Sequence, residues 1–208
     1  METPRSVMVA EQLRARGITD ERVLAAMAEV PREEFVPPDL RRHAYEDHPL
    51  AIGGGQTISQ PLVVASMTQA LAPQPCDIAL EVGTGSGYQA AILASLCCSV
   101  LTIERDPTLA ATAAATLARL GFANVEVRFG DGSRGAPDQA PYSLIVVAAA
   151  ASRVPPALLE QLAIGGRMVI PVGSASPKNQ DLLLVTREGA EYTSRVLFPV
   201  RFVPLIEN

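Results

Sequence analysis

Residues 80–94, "LEVGTGSGYQAAILA", decide how the chain is read. An apolar run closes on Gly83, Gly85 and Gly87 and passes straight into a helix-forming segment. Glycines in that setting let a turn be tight and let the backbone touch a ligand, because no Cβ intervenes. The dinucleotide fingerprint G-x-G-x-x-G offers a pyrophosphate to the helix N-terminus. Here the spacing is G-x-G-x-G, and Tyr88 stands where the third dinucleotide glycine belongs. That argues against a pyrophosphate, hence against a nicotinamide oxidoreductase, and for a cofactor whose carboxylate or ribose lies along the loop.

Working outward, strands and helices alternate from residue 77. "IALEV", "SVLTIE", "VEVRFG", "YSLIVVAA" and "RMVIPVG" read as strands, and "YQAAILASL", "PTLAATAAATLARL" and "PPALLEQL" as helices. Asp106 and Pro107 open the long helix and Gly121 closes it. Such alternation implies right-handed crossovers and a mostly parallel sheet. The tail, "DLLLVTREGAEYTSRVLFPVRFVPL", changes to two strand-like runs about a turn, an antiparallel hairpin at the sheet edge. Upstream, residues 6–16 and 19–29 read as two helices with Gly17 between them and Thr19 at the start of the second. Residues 43–61 contain three consecutive glycines and no sustained period, and read as an extended loop. The expected fold is α/β, a doubly wound, mostly parallel seven-stranded sheet with an N-terminal helical cap. It forms one domain over 1–208, with 1–61 as N-terminal helices and substrate loop and 62–208 as the cofactor-binding core.

Bulk properties narrow the function classes. The net charge of -5 gives no general drive toward nucleic-acid phosphates. The 208 residues hold no uninterrupted apolar stretch of membrane-spanning length, and "METPRSVMVAEQ" lacks the apolar centre of a signal peptide. Cytoplasmic, monomeric action without membrane or nucleic-acid partners is the expectation. Cys76, Cys97 and Cys98 have no metal-binding spacing and read as small buried side chains.

Two further acids give the glycine loop a ligand. Glu104 ends the next strand, 21 residues after Gly83, within reach of paired ribose hydroxyls in doubly wound folds. Asp131, in "GDG", ends the third strand and suits an adenine amino group, although an aspartate bonding its own turn explains the same pattern. Together these strand ends resemble the seven-stranded S-adenosylmethionine-dependent methyltransferases. No (N/D)-P-P-(Y/F) motif follows the fourth strand, and His43 and His48 are the only histidines. A dearth of bases suits an acceptor already ionised at neutral pH, such as a carboxylate.

The segment "AYEDHPLAIGGGQTISQP" resembles the signature of the protein-L-isoaspartate (D-aspartate) O-methyltransferase family. The resemblance continues through "PREEFVP", "LEVGTGSGYQAAILA", "GDGSRG", "PPALLEQL", "GGRMVIPVG" and "VRFVPL", nearly the whole chain in order. It implies S-adenosyl-L-methionine as methyl donor, S-adenosyl-L-homocysteine as product, and isoaspartyl-containing peptides and proteins as substrates. It also implies methylation of the α-carboxylate, followed by collapse to a succinimide. By position Ser59 is the catalytic serine, a residue that could instead cap the helix beginning near Pro61. Thr57, Ile58, Glu81, Gly83, Thr84, Gly85, Ser86, Gly87, Glu104, Arg105, Asp131, Gly132 and Gln180 are the implied cofactor-binding set; no metal is implied. The chain departs from the family pattern at Gly54, where histidine is usual, Ser133 (tryptophan), Ser143 (aspartate) and Ala148 (threonine). A divergent relative acting on another carboxylate, and a non-catalytic binder of the cofactor, share these residues.

Overall fold

The computed structural model describes residues 3–173 and 180–207. The chain opens with a continuous irregular helix: α1 (Pro4–Val7), a wide π-helical stretch (Met8–Leu13) and a 3₁₀ turn (Arg14–Arg16), ended by Gly17 in the left-handed region. Helix α2 (Glu21–Glu29) is capped by Asp20, whose carboxylate accepts from the Arg22 N–H at 2.9 Å. Asp20 rather than Thr19 takes the cap, since the helix begins at Glu21, and the Gln69 amide oxygen accepts from the Thr19 and Asp20 N–H groups. Two 3₁₀ segments, Arg32–Phe35 and Pro38–His43, follow under the prolines.

The stretch read as an extended loop contains a hairpin. Strands β1 (Leu50–Gly53) and β2 (Gln56–Ile58) pair antiparallel, and Gly53, Gly54 and Gly55 all take positive φ to turn between them. Period-two patterning is invisible in strands this short, so the glycines carried the turn while hiding the pairing.

The core follows from the alternation already read. Helix α3 (Pro61–Leu71) leads to β3 (Ile78–Val82), α4 (Tyr88–Ala94), β4 (Ser99–Glu104), α5 (Pro107–Arg119), β5 (Val125–Phe129) and β6 (Tyr142–Val147). Then come α6 (Pro156–Gln161), β7 (Leu162–Gly173), β8 (Gln180–Glu188) and β9 (Glu191–Val200). The sheet order is β5-β4-β3-β6-β7-β8-β9; the first five run parallel and β8 and β9 add antiparallel. The chain winds from β3 outward to β5, then returns to β6 on the other side of β3. That reversal opens a crevice at the C-terminal ends of β3 and β6, where ligands bind in open α/β sheets.

Two apolar layers flank the sheet. One joins α4 and α3 to the N-terminal helices through Met8, Leu13, Met27 and Phe35; the other packs α6 through Tyr142, Leu158 and Met168. Of the cysteines only Cys97 is buried; Cys76 and Cys98 are exposed, correcting the expectation of three buried side chains. Cys76 lies in the turn before β3 and Cys98 in the turn before β4, where neither side chain has a layer to pack into.

Candidate active site

A cavity of about 900 Å³, its open mouth included, occupies the crevice. Its floor is the loop after β3. Gly83, Gly85 and Gly87 have φ of 92°, 52° and 89°, conformations that side-chain-bearing residues rarely adopt. Most of the loop's N–H groups are already engaged within the protein. Gly83 and Thr84 donate to the Ile103 carbonyl, Gly87 to the Thr84 carbonyl, Tyr88 to the Ser86 hydroxyl, and Gly85 to Glu104. A pyrophosphate needs such donors free, so the structure agrees with the reading of the glycine spacing.

Two carboxylates stand over this floor. Glu104 is fixed from the backbone: its Oε2 accepts from the Gly85 N–H at 2.8 Å and its Oε1 from the Asp106 N–H at 3.0 Å. Each oxygen keeps acceptor capacity toward the cavity. Glu81, in β3, is fully buried. Its Oε2 accepts from the Thr102 hydroxyl at 2.6 Å, that hydroxyl pairs with Thr84, and its Oε1 has no partner among the described residues. Burial, aided by Glu104, pushes the Glu81 carboxyl up to about 8. A buried acid with an unused oxygen at a cavity wall fits a ligand bringing a positive charge or a donor.

The β1–β2 hairpin crosses the mouth. Ile52 reaches to within 3.4 Å of where a Gly85 side chain would start, and a Cβ on Gly54 would lie 3.0 Å from Asp106 Oδ2. Gln56, Thr57, Ile58 and Ser59 thereby line the cavity. Helix α3 begins at Pro61 with Gln60 at its cap and no side-chain capping bond, so the Ser59 hydroxyl is not spent on the helix. The Ser59 carbonyl accepts from Arg32 Nη2 at 2.6 Å.

Of the sequence-derived set, Thr57, Ile58, Ser59, Glu81, Gly83, Thr84, Gly85, Ser86, Glu104, Arg105 and Gly132 line this one cavity. Three others do not line it. Gly87 caps α4, packed so closely that a Cβ would meet Leu117 at 3.2 Å. Asp131 Oδ1 accepts from the backbone N–H and hydroxyl of Ser133, the turn-forming alternative weighed from sequence. Gln180 opens β8, and its amide pairs reciprocally with the backbone of Phe202, donating to the carbonyl at 3.2 Å and accepting from the N–H at 2.7 Å. It is therefore an ordered strand position; the preceding Lys178 and Asn179 lie outside the described residues.

The sequence reading did not single out Gln56, Val64, Met67, Tyr88, Gln89, Ala149 or the tail residues Val203–Ile206 as site residues, yet all line the cavity. The tail is brought there by the backbone bridges Ala150 N–H to Val203 carbonyl and Leu205 N–H to Ala150 carbonyl, pairings between segments distant in sequence. Of the four departures only Ala148 lines the cavity. Ser143 sits at the far end of the sheet, its hydroxyl 3.5 Å from the Ile78 N–H.

A cavity so built at the switch point of this strand order defines the class: an S-adenosylmethionine-dependent methyltransferase of the seven-stranded type. Comparison with known proteins narrows that class. The family described as Protein-L-isoaspartate(D-aspartate) O-methyltransferase (PCMT) matches residues 5–208, and the chain belongs to it. A protein-L-isoaspartate O-methyltransferase of Synechococcus sp. is 53% identical over 207 residues, covering 97% of this chain and 85% of the relative. One from Koribacter versatilis is 55% identical over 204 residues, covering 98% and 91%. Among solved structures, a Plasmodium falciparum β-aspartate methyltransferase (PCMT) in complex with S-adenosyl-L-homocysteine superposes with a TM-score of 0.85 at 26% identity, covering both chains fully. The chain is an enzyme of this kind, S-adenosylmethionine is its methyl donor, and its reaction serves protein repair.

Proposed function

We propose that the cavity methylates the α-carboxylate of L-isoaspartyl and D-aspartyl residues in damaged proteins, with Ser59 as the catalytic residue. The observation that supports this most is the convergence of the "QTIS" strand and the glycine loop on one cavity. When bound, S-adenosylmethionine supplies a methyl group on an electrophilic sulfonium. Glu81, the loop Gly83–Ser86, Glu104 and Gly132 would hold it, the two carboxylates suiting a cationic and hydroxyl-bearing ligand.

The acceptor is already an anion at neutral pH, so the protein need not remove a proton. Its task is alignment. In this reading the Ser59 hydroxyl donates to one carboxylate oxygen and leaves the other as nucleophile, while Ile58, Val64 and Met67 exclude water. The ester then closes to a succinimide: the neighbouring backbone nitrogen attacks the ester carbonyl, the C–OCH₃ bond breaks and methanol leaves with the amide proton, and hydrolysis restores part of the aspartate. The same proposal takes the enzyme as a cytoplasmic monomer acting on peptides rather than nucleic acid, in keeping with its net charge of -5. Among the described residues no helix is long and apolar enough to cross a membrane.

Ser59→Ala tests the assignment. Loss of one hydrogen bond to a charged group costs about 1.5–3 kcal/mol, so kcat is expected to fall by about 10- to 100-fold. S-adenosylhomocysteine affinity by calorimetry is expected to stay within about twofold. Equal losses in both would make Ser59 a cofactor or folding residue.

A further inference from the structure

Arg32 has 0% exposure, and among the described residues no ion pair joins it to a carboxylate. Its neighbour Glu33 turns away to Arg5 and Tyr45. The guanidinium donates through Nε to the Ala44 carbonyl at 2.7 Å and through Nη2 to the Ser59 carbonyl at 2.6 Å. Its carbon lies 4.8 Å from the centre of the Tyr88 ring, and Nη1 is buried with no partner. Burial lowers its proton affinity, opposed only by Tyr88 and Tyr45; arginine nevertheless stays protonated in proteins. An uncompensated buried cation is costly, and fold alone would be served as well by an apolar side chain of similar length.

Ser59 and Tyr88 both line the cavity, and Arg32 stands directly behind them. The 11-residue helix α3 directs its positive N-terminal end to the same place. The cavity is thus electrostatically divided. The cofactor side carries Glu81 and Glu104, with Arg105 beyond them; the Ser59 side carries no lining carboxylate and is backed by Arg32.

We propose that Arg32 is a positioning residue for the acceptor: it fixes the Ser59 backbone and supplies the positive potential that selects a carboxylate. This rests on the carboxylate-methylating reading of the site. Its placement behind a peptide and an aromatic ring answers a chemical constraint. The attacking oxygen loses its charge as the C–O bond forms and the C–S bond breaks, the sulfur keeping that electron pair. A cation in direct contact would hold the anion in its ground state and slow that loss. A cation one layer back attracts the carboxylate without capping its nucleophilic oxygen.

The test is equilibrium binding, by calorimetry in the presence of S-adenosylhomocysteine, of an isoaspartyl peptide and of its twin bearing an α-carboxamide. Arg32→Met is expected to weaken the acid peptide by about tenfold. The amide peptide and S-adenosylhomocysteine should stay within about twofold, and KM should rise more than kcat falls. Arg32→Lys keeps the charge and is expected to preserve the preference for acid over amide to within about threefold. Should Arg32→Met not fold, the lysine variant carries the test alone, and loss of the preference with the charge retained overturns the proposal. Equal weakening of both peptides and of S-adenosylhomocysteine, or unchanged acid affinity in Arg32→Met, also overturns it. Native enzyme that binds neither peptide would instead remove the substrate reading on which the proposal rests.

Discussion

Glu81 is the residue where stability and ligand binding compete most openly. Its carboxyl is pushed from an ordinary 4.5 to about 8 by burial. Between those values the folded protein holds a proton that the unfolded chain has released, so stability falls as pH rises through the window and levels off above it. A shift of that size corresponds to a penalty on the order of 5 kcal/mol once the group is ionised. Glu81→Gln is expected to remove this slope. The variant should unfold at a temperature equal to or above the native protein at pH 8.5, the gap closing toward pH 5. It should also bind the cationic methyl donor more weakly, because the native acid, ionising beside a cation, contributes attraction that glutamine lacks. Native binding at pH 7.5 should release protons, seen as a dependence of calorimetric heat on buffer ionisation enthalpy; the variant should not. A native stability profile flat between pH 5 and 8 would contradict the assignment.

At the scale of elements, the site is closed by two segments that sequence pattern describes poorly. The β1–β2 hairpin is too short for alternation to register, and the tail 201–206 has no period at all. Both are placed by long-range contacts: Ile52 over Gly85, the bridges from Ala150, and the Gln180 amide on Phe202. By contrast, β4 spans the residues read from sequence, and Asp106, Pro107 and Gly121 bound α5 as expected, because capping and apolar runs are local signals. The role of Arg32 is hidden in the sequence for the opposite reason. A charged residue in "PREEF" reads as surface until packing buries it. Gln180→Ala tests the tail: two buried hydrogen bonds are lost, costing about 1–3 kcal/mol. The melting temperature should drop by about 3–10 °C, and peptide affinity should fall while the far-ultraviolet circular dichroism stays native. An unchanged melting temperature and affinity would mean that the tail holds its place without this clamp.

For the whole molecule, the reversal of strand order beside β3 collects the glycine loop, Glu81 and Glu104 at one edge of the sheet, and the N-terminal segment brings Ser59 to the same cavity with Arg32 buried behind it. The alternation of apolar strands and helices specified the sheet layers from sequence. The dearth of histidines points to a carboxylate acceptor, but the isoaspartyl residue itself is legible only through the "QTISQP" resemblance, since no local rule assigns a substrate to a strand–turn–strand segment. The proposed division of the cavity into an acid-bearing cofactor side and an arginine-backed acceptor side would supply a physical reason for a carboxylate. The account is tested most directly by incubating the enzyme with labelled S-adenosylmethionine and either an isoaspartyl peptide or its normal L-aspartyl twin. Labelled, base-labile ester should form on the isoaspartyl peptide at least about 100-fold faster, given the near-attack geometry required. Equal labelling of both peptides, or labelling of neither, would contradict it.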